Sequence, residues 1–223
     1  LNKDDDNTKH YTSVPNIMKV IEPLFLNELN EEFEKHKENT KKLRQLIYRI
    51  SKLKLFDPAC GSGNFLIIAY KEVRKLEIKI WQCINELEPQ YSFVFTEIKL
   101  SQFYGIELDD FAHEMAILSL WLAEHQMNKF FIDELHDFGK AKPILPLKEA
   151  GNITQGNATR LDWKIICPID LADEVYILGN PPFEGARKQS DSQKEDMAFV
   201  FHRQFGNIDY VAFWFYLFSK YIL

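Results

Sequence analysis

Cysteine is scarce in this sequence: Cys60, Cys83 and Cys167 are the only three in 223 residues. An odd, widely spaced set of thiols makes no disulfide framework and fits a reducing, cytoplasmic setting. The six histidines (His10, His36, His113, His125, His136 and His202) show no His-Glu-x-x-His pattern, and no Cys-x-x-Cys pair occurs. No metal site is therefore expected. No stretch approaches about 18 consecutive apolar residues, so no membrane span is expected. The polar, acidic opening LNKDDDNTKHYTS does not read as a secretion signal. Net positive charge is lacking as well. A formal charge of −6 argues against binding nucleic acid over the whole surface, while leaving room for a local basic patch.

What is present is an ordinary globular composition, 46% hydrophobic and 27% charged, with enough chain for one substantial domain or one domain and part of another. Ile17, Val20, Ile21, Leu24, Phe25, Leu29 and Phe33 recur at helical spacing and predict a helix over 14–37. Leu43, Leu46, Ile47 and Ile50 predict a second, leading into KLKLF. The basic run KHKENTKKLRQLIYRISKLK reads as a solvated helix face, with phosphate contact as the alternative.

From KLKLF onwards strands and helices alternate. A strand, a glycine turn and a long helix are followed by a second strand in SQFYGIELD and a helix over 111–127. LHDFGKAKPILPLKEAG reads as a loop, NITQGNATRLDW holds a short third strand, and DEVYILGNPPF is the fourth. This alternation predicts an α/β fold with a doubly wound, mostly parallel sheet. A helical segment over 1–52 precedes a sheet domain over 53–223. The chain begins with Leu1 and stops inside the apolar, helix-like pattern IDYVAFWFYLFSKYIL, whose aromatics read as core. These ends are expected of a piece of a longer protein, with the sheet cut short after about four strands.

Two loops carry chemistry. In DPACGSGNF, Asp57 ends a strand, Gly61 and Gly63 form a turn, and a helix begins. Glycines let the backbone approach a ligand, and the helix N-terminus offers N–H groups to an anion. The turn lacks the lysine of a phosphate cradle and the third glycine of the dinucleotide fingerprint, so a plain tight turn remains the alternative. Glu107 closes the second strand, where a carboxylate can accept from ribose hydroxyls; otherwise it is a surface acid. In GNPPF two prolines stop a strand and fix two φ angles, locking an amide and an aromatic into one loop.

Together, DPACGSGNF and GNPPF resemble the S-adenosylmethionine-binding and catalytic motifs of amino-group DNA methyltransferases. The likeness is to the N(6)-adenine enzymes of restriction–modification systems. HYTSVPNIMKVIEPLFL is similar to the N-terminal cofactor segment of that subgroup. The likeness runs from His10 to Leu223 and implies a Rossmann-like class I methyltransferase fold. It further implies that Tyr11 and Thr12 help hold the methionine end of S-adenosyl-L-methionine. Asp57, Pro58, Ala59, Gly61 and Gly63 would line the methionine moiety, Glu107 would bind the ribose, and Leu108 would pack on the adenine ring. In TQGNATRLDW either Asn157 or Asp162 would accept from the cofactor's adenine amine.

Asn180, Pro181, Pro182 and Phe183 would be the catalytic loop. The exocyclic amine of adenine is a poor nucleophile because its lone pair is delocalised into the ring. The Asn180 side-chain oxygen and the Pro181 carbonyl would accept its two hydrogens and localise that pair, which is catalysis by position and electrostatics. Phe183 would stack on an adenine flipped out of double-stranded DNA. A carbon-5 cytosine enzyme would want a Pro-Cys nucleophile, and none is present. The polar EGARKQSDSQKED after Phe183 reads as a loop, either plain or ordering on DNA. Three alternatives stay open: a truncated fragment that at most binds cofactor, an amino methyltransferase acting on RNA or protein, and methylation of the cytosine amine. Target recognition and any endonuclease would belong to fused or separate modules.

Overall fold

The computed structural model describes residues 12–89, 93–135, 139–140, 151–201 and 206–222. Its first helices are α1 (Val14–Ile21), a π turn (Glu22–Leu26), α2 (Asn27–His36) and α3 (Thr40–Ile50). The single predicted helix over 14–37 is thus interrupted. Pro23 has no N–H to give the helix, and the turn widens locally so that the Asn27 N–H reaches the Glu22 carbonyl five residues back. Asn39 starts α3 by accepting from the Lys42 N–H, the ordinary N-cap arrangement.

Strand β1 (Leu53–Asp57) leads through the glycine turn to α4 (Asn64–Leu87). The short β2 (Val94–Phe95) and a 3₁₀ turn (Leu100–Gln102) precede β3 (Phe103–Glu107), after which comes α5 (Asp110–Leu135). Helix α5 runs eight residues past the predicted end at Met127. Its apolar and charged residues are spread around the helix, so no periodic stripe marks its extent. The two-residue β4 (Gly139–Lys140) pairs in parallel with β2, in stretches read from sequence as linker and loop. Pairs this short carry no alternation to detect. The remainder of the predicted loop up to residue 150 lies outside the described residues. Then follow β5 (Asn152–Gln155), α6 (Trp163–Ile166), β6 (Glu174–Ile177), α7 (Asp191–Val200) and α8 (Ala212–Ile222).

Four strands form one sheet in the order β5-β3-β1-β6, every pair parallel. This is the α/β architecture expected from the strand–helix alternation. Strand β1 is central and buried on both faces. Leu53 and Leu55 enter a core with α1 to α5, whereas Phe56 joins Tyr104, Ile106, Trp163, Met197, Phe213 and Tyr221 on the opposite face. Burying one such aromatic contributes roughly 1.5–3 kcal/mol. The N-terminal helices therefore share a core with the sheet through Ile17, Ile21, Phe25 and Leu29. Register places Asp57 opposite Gly105, Glu107 opposite Gln155 and Phe56 opposite Ile177. The strands thus deliver their C-terminal residues to one edge.

Candidate active site

The sheet order reverses at β1. The chain steps from β1 to β3 to β5 on one side, then returns to place β6 on the other. In open α/β sheets the crevice beyond the strand ends at such a reversal is where ligands bind. Here the crevice lies between the loops after β1 and β6. It opens into a cavity of about 540 Å³ lined by Asp57, Pro58, Ala59, Gly179, Asn180, Pro181 and Phe183, among others. Six of the expected site residues, from two stretches more than 120 positions apart, thus meet in one place. Pro182 lies in the same loop and is exposed.

Asp57 is 1% exposed. Its Oδ1 accepts the Ala59 N–H at 3.0 Å, and burial, reinforced by the charge of Glu107, pushes its carboxyl up to about 7. Gly179 makes this proximity to the second loop sterically feasible. Its φ is +141°, and a Cβ there would overlap Asp57 Oδ1. The glycine before Asn180 is therefore required by close approach as well as by backbone angle.

The turn between β1 and α4 holds Gly61 and Gly63 at φ +54° and +83°. Gly63 is the N-cap of α4, and no side chain caps it, so the helix presents its first N–H groups at the strand edge. The turn is fastened to β3 by Cys60 N–H to Ile106 O at 3.0 Å and Gly61 N–H to Glu107 Oε2 at 2.8 Å. Glu107 Oε1 accepts the Asp109 N–H at 2.8 Å. The carboxylate is thus fixed in direction, and each oxygen retains capacity for a further donor. Leu108 beside it is 66% exposed.

Asn180 is exposed, and its Nδ2 donates to Thr12 Oγ1 at 3.3 Å across 168 residues of sequence. That bond leaves Oδ1 as the side-chain atom without a partner among the described residues. Tyr11 lies outside the described residues. The loop after β5 is built differently. Asn157 Oδ1 accepts from the Thr159 N–H and shares the single Thr159 hydroxyl hydrogen with Asp196 Oδ1, while its Nδ2 donates to Asp196. Asp162 caps α6 by accepting the Lys164 N–H at 2.9 Å.

Several residues at the site were not singled out from sequence. Val20, Pro23 and Leu24, around the π turn, and Trp214, Phe215 and Phe218 of α8 form apolar walls of the cavity. Phe111 is exposed three positions beyond Leu108. Asp196, 6% exposed, gathers donors from Asn157, Thr159, Arg160 and Tyr210. It sits on α7 inside the stretch read as a loop. The helix start was legible: Ser190 and Gln193 form a capping box, a sequence signal for an N-terminus.

The parallel α/β sheet, with a buried acid, a glycine turn and an Asn-Pro-Pro-Phe loop at its reversal point, is an α/β methyltransferase fold. Residues 33–223 match the MmeI DNA-methyltransferase domain, and the chain belongs to that family. It is 51% identical over 214 residues to DNA methyltransferase A of Bacillus subtilis, covering 95% of this chain and 24% of that protein. It is 39% identical over 98 residues to a putative type II restriction enzyme and methyltransferase of Methanocaldococcus jannaschii, covering 44% of this chain and 8% of the relative. Among solved structures, the type IIL restriction–modification enzyme MmeI in complex with DNA superimposes with a TM-score of 0.84 at 40% identity. That match covers 96% of this chain and 28% of MmeI. The chain spans about a quarter of the length of DNA methyltransferase A and of MmeI.

Proposed function

We propose that this chain forms the methyl-transfer centre of a restriction–modification DNA methyltransferase acting on the exocyclic amine of adenine. The supporting observation is the meeting of buried Asp57 and the Asn180–Phe183 loop on one cavity beside an uncapped helix N-terminus. S-adenosyl-L-methionine, when bound, supplies an electrophilic methyl group on a sulfonium. The donor set suits it. Asp57 offers a carboxylate for its cationic end, with Pro58, Ala59, Gly61 and Gly63 leaving space for the methionine chain. The α4 N-terminus favours the methionine carboxylate, and Tyr11 and Thr12 would close over it. Glu107 takes the ribose hydroxyls and Leu108 one face of the adenine ring. For the adenine amine, Asp162 is favoured over Asn157, whose amide oxygen already accepts two hydrogen bonds.

The chain's own part in catalysis is to hold acceptors. Thr12 fixes the Asn180 amide group by accepting from Nδ2, so Oδ1 is left to accept from the target amine. The Pro181 carbonyl takes the second hydrogen, held by the two stiff prolines. Phe183, 66% exposed, provides a face for a base flipped from the duplex. A covalent cysteine mechanism is disfavoured. Cys60 and Cys167 are both buried, and burial pushes each thiol up, away from the reactive thiolate. In Asn180→Ala, methyl transfer to duplex DNA should fall by at least a hundredfold while cofactor binding, followed by calorimetry, stays within a few fold. Transfer undiminished in that variant would remove Asn180 from the chemistry.

A further inference from the structure

The turn that follows the Asn-Pro-Pro-Phe loop is held rigidly at its base and carries charge at its tip. Gln189 is 5% exposed, and its Nε2 donates to Glu184 O at 3.3 Å and to Ile208 O at 3.0 Å. The Tyr210 N–H also bonds to Glu184 O at 2.9 Å, and the Lys188 N–H closes back on Gly185 O at 2.8 Å. Beyond Gln189 the Ser190 capping box starts α7. A short turn pinned at both ends therefore projects Gly185, Arg187 and Lys188, all exposed, beside Phe183.

Arg187 stands apart from the other described arginines. Arg44 pairs with Glu88 and lies over Trp81. Arg49 is held by Glu28, Glu32 and Glu174. Arg74 is buried against Glu77 and Asn128, and Arg160 bonds Asp196 and covers Phe199. Arg187 has no such partner among the described residues, and neither has Lys188. The acids nearby are partly engaged: Asp191 pairs with Lys194, and Asp196 is filled by its four donors. Glu184 and Glu195 remain. On a chain of net charge −6, a backbone polyanion gains nothing from the surface as a whole, so attraction must come from local sites such as this.

The other basic stretch is badly placed for that task. Lys41, Lys42 and Arg44 sit at the start of α3, where Thr40 and Arg44 meet Glu88. Glu88 follows the C-terminus of α4, a 24-residue helix that descends about 36 Å from the glycine turn.

From this arrangement, and resting on the reading of the substrate as DNA, we propose that Arg187 and Lys188 form a phosphate-binding clamp. They bind the DNA backbone next to the nucleotide presented to the Asn180 loop. Arg187 offers a forked donor pair to one phosphate and Lys188 a point charge to its neighbour.

The test is the salt dependence of duplex binding by the full-length protein and its Arg187→Gln/Lys188→Gln form. Each phosphate contact contributes about 0.9 to the slope of log affinity against log salt. The double variant should therefore lose about 1.8 from that slope, so that between 50 and 200 mM salt its affinity falls about twelvefold less than that of the unaltered protein. Cofactor affinity should stay unchanged, showing that the fold is intact. An unchanged slope overturns the proposal. An equal loss of slope in a Lys41→Gln/Lys42→Gln control also overturns it, since diffuse charge would then be responsible. If the slope falls as expected but the unaltered protein methylates no adenine, the functional reading fails and the phosphate clamp stands.

Discussion

Asp57→Asn separates what the buried carboxyl does for the fold from what it would do for the cofactor. The carboxyl is 1% exposed and lies against Gly179 and the Ala59 N–H. Burial raises its pKa from 3.8 to about 7. Below pH 3.8 the group is protonated in both folded and unfolded chains and costs nothing. Between pH 3.8 and about 7 the unfolded chain releases the proton while the folded chain keeps it. Stability is therefore lost as pH rises across this window and stays lost above it. At about 1.36 kcal/mol per unit, roughly three units amount to about 4 kcal/mol. Asparagine keeps the shape and the bond from Ala59 but cannot ionise. The variant should match the unaltered protein near pH 4 and exceed it by up to about 4 kcal/mol at pH 8, with most of the gain in place by pH 7. Chemical denaturation at a series of pH values reads this directly. Cofactor affinity should move the opposite way, weakening at pH 8 where the carboxylate is charged. A stability difference of zero at pH 8, or one independent of pH, would refute the reasoning.

Other expectations follow from single contacts. Gly179→Ala places a methyl group on Asp57 Oδ1 and should displace the Asn180 loop, lowering methyl transfer more than tenfold; crystallography or activity would show whether the loop tolerates it. Asp196→Ala removes the acceptor for Asn157, Thr159, Arg160 and Tyr210 and should cost about 3 kcal/mol in urea unfolding, the scale of breaking a buried charged network. Thr12→Val frees the Asn180 amide to rotate and should lower kcat with a smaller effect on cofactor KM, whereas Thr12→Ser should restore kcat. A rise in cofactor KM with kcat unchanged would limit Thr12 to the cofactor contact and remove it from holding Asn180.

The parts of this molecule legible in sequence are those encoded locally. DPACGSGNF announces strand, glycine turn and helix through its residue types, and YILGNPPF announces a strand stopped by prolines. The alternation between them fixes a parallel sheet, and a parallel sheet brings its strand ends to one edge. What stayed hidden depends on contacts distant in sequence. Nothing near Asn157 indicates that its amide is held by Asp196 on a helix 39 positions away. The apolar walls supplied by Leu24 and Phe215 look like any helix face until the helices are packed. Helix α7 is a different case. Its start was written in Ser190 and Gln193, but the polar composition of the stretch outweighed the capping signal.

The central claim is that the Asn180 loop holds the amine of adenine in place for methyl transfer. It is tested most directly by incubating the full-length protein with duplex DNA and methyl-labelled S-adenosyl-L-methionine, digesting the DNA, and identifying the labelled nucleoside by mass spectrometry. The account predicts N(6)-methyladenine from the unaltered protein and none from Asn180→Ala. Label recovered as carbon-5-methylcytosine, or N(6)-methyladenine formed equally well by Asn180→Ala, would contradict it.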